Sequence, residues 1–241
     1  MGPTMRMTQV TSVTKLSPHM TRIVLGGNDL KDFPTDKNSA HVKAIFPNPK
    51  ATDGKPKLGM YIGFKKWMRS YTIRDFNAER FELTLDFAVH DHKGLASNWA
   101  ENAKVGDYLG IAGPGETKHT NLNAKDHLFI GDLTALPAIA ATLEDLPTNA
   151  IGSAWIQVPT SSDIQQIQAP SGIALNWIVT SDKLTPEFGQ ALATQRKDLS
   201  ETAIFIAAEA SVVKALKSQL NDNHDYNKKN LYASAYWNQK R

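Results

Sequence analysis

The sequence predicts a β barrel followed by an α/β domain built on a parallel sheet, and two observations lead to that expectation. Before about residue 125, apolar and polar side chains alternate with a period of two between frequent turn signals. After it, short continuously apolar runs interleave with helical patterns, the pattern of strands connected by crossover helices.

The alternation is clearest in "FELTLDFAVH". Phe81, Leu83, Leu85, Phe87 and Val89 fall on one face, and Glu82, Thr84, Asp86 and His90 on the other. "HVKAIF" repeats the pattern with Val42, Ala44 and Phe46 on one side, and with His41 and Lys43 on the other. The breakers "LGGND", "FPNPKATDGKP" and "IAGPGET" separate such strands. "GLASNWAEN" departs from the pattern, because Leu95 and Trp99 stand four apart, as on a short helix. Several short strands in succession point to a small antiparallel barrel.

In the second half, "HLFIG", "SAWIQVP", "ALNWIVTS" and "AIFIAAEA" read as strands covered on both faces. "DLTALPAIAATLEDL", "PEFGQALATQR" and "ASVVKALKSQL" read as helices; in the last, Val213, Leu216 and Leu220 share a side. "NHDYNKKN" reads as a surface loop. The domain boundary is expected between Leu122 and Asn123, giving domains 1–122 and 123–241.

Composition narrows the function. The chain of 241 residues has no cysteine, which excludes disulfides, thiolate metal sites and a cysteine nucleophile. No apolar run approaches a membrane span, and "MGPTMRMTQV" lacks the apolar centre of a signal peptide. The net charge of +3 carries no basic stripe for nucleic acid. The histidines lack metal-ligand spacing, so no protein metal site is expected. The expectation is a soluble, cytoplasmic monomer.

The stretch "RSYT" raises the functional question. On a strand Arg69 and Tyr71 point one way, and Ser70 and Thr72 the other. A guanidinium grips a phosphate bidentately, and a phenol ring beside it stacks on an aromatic ring. The four residues alone also fit an edge strand with a solvated arginine and a core tyrosine. Downstream, "DFAVHDHKGLASNWA" places Ser97 in the first turn of a helix, whose N–H groups favour a pyrophosphate. "GDLTALPAIAATLE" puts Thr134 just beyond the first parallel strand, where α/β sheets bind ligands, although no G-x-G-x-x-G is present.

In this order "RSYT", "DFAVHDHKGLASNWA", "AGPG", "GDLTALPAIAATLE", "AAEASVVKALKSQL" and the terminal "AYW" resemble the siderophore-interacting proteins. These are flavin-dependent ferric-siderophore reductases within the ferredoxin-reductase-like group. The resemblance implies a barrel that binds FAD and a second domain that binds NADH or NADPH. It assigns Arg69, Ser70, Tyr71 and Thr72 to FAD, and Asp86, His90, Gly94, Ala96 and Ser97 to the same cofactor, the turn from His90 to Ser97 on its pyrophosphate side. Thr134 would face flavin and nicotinamide, and Glu209, Ala210 and Ser211 would open the last helix near the nicotinamide nucleotide. No catalytic acid or base is required. An anionic ferric siderophore calls for a basic pocket, with Lys43, Lys65, Lys66, Lys118, Lys240 and Arg241 as candidates. Relatives commonly carry an acidic residue where Leu133 stands, and often an arginine in the turn that reads "AGPGE" here. Lys214 and Lys217, one helical turn apart, fit either a 2′-phosphate or the solvated face of a helix. A ferredoxin is the alternative electron partner.

Overall fold

A computed structural model describes residues 5–50, 52–57, 64–89, 94–116, 121–182 and 186–238, with nothing assigned to the side chains of Phe64 and Lys65. The chain divides into two compact units, Met1–Thr117 and Lys118–Arg241.

The first unit is one antiparallel sheet. Its strands are β1 (Met5–Ser17), β2 (Met20–Gly26), β3 (His41–Ile45), β4 (Met68–Thr72), β5 (Asp75–Asn77), β6 (Glu82–Ala88) and β7 (Tyr108–Ala112). They lie in the order β4-β3-β7-β1-β2-β6-β5. The sheet curls like a barrel, because β4 at one end comes back to β6 near the other. The rings of Tyr71 and Phe87 stand 4.2 Å apart, and the Arg74 N–H donates to the Thr84 carbonyl at 3.0 Å. Inside sit Ile23, Leu25, Val42, Leu83, Leu85, Phe87, Leu109 and Ile111, each fully buried. Each such side chain contributes about 1.5–3 kcal/mol by leaving water. The helix α1 (Leu95–Asn102) plugs this core with Trp99, whose ring lies 5.5 Å from Phe46 and 5.7 Å from Phe87.

Two details depart from strict alternation. Phe81 precedes β6 at φ 51°, in the turn where the Arg80 N–H donates to Asn77 Oδ1. Asp86, on the polar face of β6, is buried, because Arg22 closes on it with two hydrogen bonds of 2.7 and 2.8 Å.

The second unit is a five-stranded parallel sheet in the order β10-β9-β8-β12-β14. Its strands are β8 (Asp126–Gly131), β9 (Ile151–Val158), β10 (Gly172–Val179), β12 (Thr202–Glu209) and β14 (Leu231–Trp237). Helices α2 (Leu136–Asp145), α3 (Pro186–Ala193) and α4 (Ala210–Asn223) lie among them in sequence. The apolar runs make β8 and β12 central: every residue of β12 is buried, and Ile204, Ile206 and Ala208 pack against Phe188, Leu192, Val212, Leu216 and Leu220. The chain steps outward from β8 to β9 and β10, then returns to the other side of β8 for β12 and β14. The order of strands therefore reverses between β8 and β12, at the point where such sheets open a ligand crevice.

The expectation of two covered faces fails for β10. It is an edge strand with Ala174 and Val179 exposed, and residues 159–171, which lead into it, form no α-helix. The sequence reading also left out β14. In "NHDYNKKN" a two-residue strand, β13 (Asp225–Tyr226), pairs in parallel with β11 (Asp198–Leu199).

Candidate functional site

The edge position of β4 sets the geometry of the first unit. Among the described residues only β3 pairs with it, through Val42 to Tyr71, Lys43 to Ser70 and Ala44 to Arg69. An edge strand leaves every second main-chain N–H and C=O without a ladder partner. Arg69 and Tyr71 share one face. The Tyr71 ring is half-buried against Phe87 and Phe46, and burial pushes its phenol well above the usual tyrosine range, with the Arg69 charge pulling weakly the other way. Arg69 is exposed. Its Nη1 donates to the Lys66 and Met68 carbonyls at 3.0 and 2.8 Å, which fixes the guanidinium beside the strand without any carboxylate among the described residues.

The opposite face carries Lys43, Ser70 and Thr72. The Lys43 Nζ donates to Ser70 Oγ at 2.5 Å, with both residues exposed. Lys43 therefore lies across the strand from Arg69 and Tyr71. Lys66 is exposed, its ammonium 5.0 Å from the Trp67 ring centroid. Lys118, Lys240, Arg241 and the side chain of Lys65 lie outside the described residues, as does His90.

At the start of α1, Gly94 is the N-cap. The Ser97 hydroxyl meets its main chain, 3.1 Å from the Gly94 N–H and 3.2 Å from its carbonyl. Ala96 is buried against the core, so the first turn of α1 is held in place by packing. Asp86 stands among arginines. With its side chain 3% exposed, it holds Arg22, and Arg74 stands 3.8 Å away.

The "AGPGE" turn contains no arginine, and β1 supplies one. The Arg6 Nη1 donates to the Gly113 carbonyl at 2.6 Å, while the guanidinium sits 5.4 Å from the Phe33 ring. Gly113 has φ 107°, which suits glycine. At Gly115 a Cβ would come 2.6 Å from the His41 ring, so any larger residue there would have to displace that ring.

In the second unit the ends of β8, β12 and β14 converge on Asp132. Its Oδ1 accepts the Thr134 N–H at 2.9 Å and the Thr134 hydroxyl at 2.6 Å. Its Oδ2 accepts the Glu209 N–H at 3.1 Å and the Trp237 indole N–H at 2.8 Å. The sequence reading missed both Asp132 and Trp237. An aspartate two residues before a threonine at the end of a strand was the available signal for the first. Trp237 reaches Asp132 because β14 carries one extra residue here: Ala208 pairs with Ala235, but Glu209 pairs with Trp237. Such a bulge re-aims the side chains beyond it. Glu209 caps α4, its carboxylate accepting the Ser211 N–H at 2.5 Å and the Ser211 hydroxyl. Ala210 opens the helix, and Leu133 is buried beside Asp132.

Lys214 and Lys217 line a groove between α4 and β14 with Ser218, Asn221, Ala233 and Ala235, and Asp132, Thr134 and Trp237 are not part of it. Among the described residues, no three His, Asp or Glu side chains gather as they would around a metal ion, and no helix is long and apolar enough to cross a membrane.

Comparison with known proteins joins the two units. Residues 9–118 match the siderophore-interacting FAD-binding domain, and residues 124–240 match the siderophore-interacting protein family. The ferric vibriobactin reductase ViuB of Vibrio cholerae is 32% identical over 92% of this chain and 85% of its own length. The NADPH-dependent ferric-chelate reductase of Escherichia coli is 29% identical over 96% of this chain and 92% of its own. The crystal structure of the siderophore-interacting protein SipS from Aeromonas hydrophila superposes with a TM-score of 0.85 at 30% identity, covering 99% of this chain and 93% of that one. Both units are thus matched along nearly their whole length, and this chain belongs to the siderophore-interacting protein family.

Proposed function

We propose that this chain is an FAD-dependent reductase that takes reducing equivalents from NADH or NADPH and delivers electrons to Fe(III) held by a siderophore. The observation that carries the proposal is the pair Arg69 and Tyr71 on one face of an edge strand. A guanidinium without a carboxylate partner among the described residues stands beside a ring already seated on the core. These residues fit FAD. Arg69 binds its diphosphate, Tyr71 lies against its ring system, and the open edge of β4, including Ser70 and Thr72, offers main-chain hydrogen bonds. The start of α1, with Gly94, Ala96 and Ser97, presents N–H groups to the pyrophosphate, and His90, which precedes it in sequence, is assigned to the same cofactor. When bound, FAD supplies the redox chemistry, accepting a hydride and releasing electrons one at a time.

The protein's part is to bind and orient. The domain running to Leu122 holds the flavin, and the domain from Asn123 onward holds the dinucleotide. Thr134 and the Glu209–Ser211 segment meet it at the reversal point of the sheet. Lys43 and Lys66, with Lys65, Lys118, Lys240 and Arg241, draw in an anionic ferric chelate. Siderophore oxygens are hard donors that favour Fe(III), so reduction loosens the complex and frees the metal. ViuB and the E. coli ferric-chelate reductase support this reading through their names and the extent of their likeness. The protein works as a cytoplasmic monomer.

The test is to supply the FAD-loaded protein with NADH or NADPH and a panel of ferric siderophores, trapping Fe(II) with a ferrous-specific chelator. Fe(II) should form with at least one siderophore and depend on both flavin and dinucleotide. Electron delivery to a ferredoxin, with no ferric chelate accepted, would overturn the proposal.

A further inference from the structure

Two hydroxyls flank the point where the order of the parallel strands reverses, and a carboxylate two residues upstream holds each. Asp132 accepts both the N–H and the hydroxyl of Thr134, and Glu209 accepts both from Ser211. A carboxylate can only accept, so each hydroxyl must be the donor. Its single hydrogen is thereby committed, and the oxygen shows only lone pairs to anything outside. Thr134 is positioned to use this. From Gly131 to Ala140 every other residue is buried, and Thr134 alone is partly open to solvent. Ser211 is exposed.

This arrangement has a definite preference. Phosphate oxygens are acceptors, and here they would face acceptor-only hydroxyls beside two carboxylates. The usual use of a first strand-to-helix turn, to cradle a pyrophosphate, is therefore disfavoured. The dinucleotide also has a neutral, donor-bearing end in the nicotinamide carboxamide, whose NH2 carries two N–H groups. We propose that Asp132 is a positioning residue that sets the polarity of Thr134, so that the Thr134 hydroxyl accepts from the carboxamide N–H of the reductant. The proposal rests on the reading of NADH or NADPH as the donor, with its nicotinamide facing Thr134 as the family resemblance implies, and adds the residue that aims the hydroxyl and the group that the hydroxyl meets. Asp132 does not touch the dinucleotide. It holds the hydroxyl hydrogen inward, and its remaining contacts, to the Glu209 N–H and the Trp237 indole, keep it from turning away.

The test compares the oxidised dinucleotide with its 3-acetylpyridine analogue, in which a methyl group replaces the NH2 and both N–H donors are lost. Affinities for the FAD-loaded protein are read by calorimetry, and flavin reduction by the reduced forms is followed in parallel. The wild type should favour the carboxamide by about tenfold, the worth of one hydrogen bond. Thr134→Val should bind the two forms equally by weakening only the carboxamide form, and Thr134→Ser should keep the preference. Asp132→Asn, whose amide can donate to Thr134, should reduce the preference while the acetyl form binds as before. Equal binding by the wild type, or an undiminished preference in Thr134→Val, would overturn the proposal while leaving the donor assignment intact. If the wild type binds neither dinucleotide and neither reduces its flavin, the donor assignment falls and the proposal falls with it.

Discussion

Trp237 donates its indole N–H to Asp132 Oδ2 at 2.8 Å, tying the end of the last strand to the turn after the first strand of the parallel sheet. Trp237→Phe keeps most of the buried ring and removes the donor. A hydrogen bond to a charged acceptor contributes about 1.5–3 kcal/mol. Urea unfolding should show a loss of about 1–2 kcal/mol, since Trp237 is only half-buried. Flavin content should not change.

Arg69 is exposed and pairs with no acid among the described residues, so its loss should scarcely affect folding. Arg69→Ala should shift stability by less than about 0.5 kcal/mol. FAD affinity should fall about 10- to 100-fold, the worth of one charge-assisted contact. Arg69→Lys should recover only part of it, because an ammonium lacks the planar fork. Fluorescence titration of the apoprotein with FAD gives both numbers.

The opposite division is expected at Asp86. Breaking a buried ion pair typically costs about 3–5 kcal/mol. The Arg22 side chain is 32% exposed and can recover some hydration, so Asp86→Ala should cost about 2–3 kcal/mol. The folded fraction should bind FAD with wild-type affinity. A large loss of FAD affinity without a loss of stability would return Asp86 to the cofactor.

His127 gives the second unit a pH dependence. Its Nε2 donates to the Ala124 carbonyl at 2.7 Å, and the buried Nδ1 has no hydrogen-bond partner among the described residues. Burial holds the imidazole below its ordinary pKa of 6.5, with the Ala124 carbonyl and Asp126 opposing more weakly. The unfolded chain therefore takes up a proton at a higher pH than the folded one. The stability that depends on this difference is complete above about pH 6.5 and is lost as the pH falls below it, levelling once the folded state is protonated too. His127→Gln, which keeps a donor and cannot titrate, should flatten this part of a pH series of urea midpoints.

How legible each part was depends on what the residues had to satisfy. The alternation around Leu83, Leu85 and Phe87 and the solid apolar run of β12 were plain, because one buried face or two impose a simple period. β14 was obscure, because Tyr232, Ala233, Ser234 and Ala235 belong to an edge strand that is neither cleanly alternating nor fully apolar. Arg69 and Tyr71 were legible as a pair. That Lys43 lies across the strand from them follows from pairing with β4, which no local pattern reveals. Asp132 was hidden because its partners come from three strand ends. The arginine partners of Asp86, which the sequence reading assigned to FAD, were hidden because the neighbouring strand and the turn that follows β4 supply them.

The most direct test is an anaerobic visible absorption spectrum of the FAD-loaded protein, recorded alone, after NADH or NADPH, and after a ferric siderophore. The flavin bands should bleach with the dinucleotide and return when the ferric chelate is added. A protein that takes up no FAD under reconstitution, or whose bleached flavin is not reoxidised by any ferric siderophore, would contradict the account.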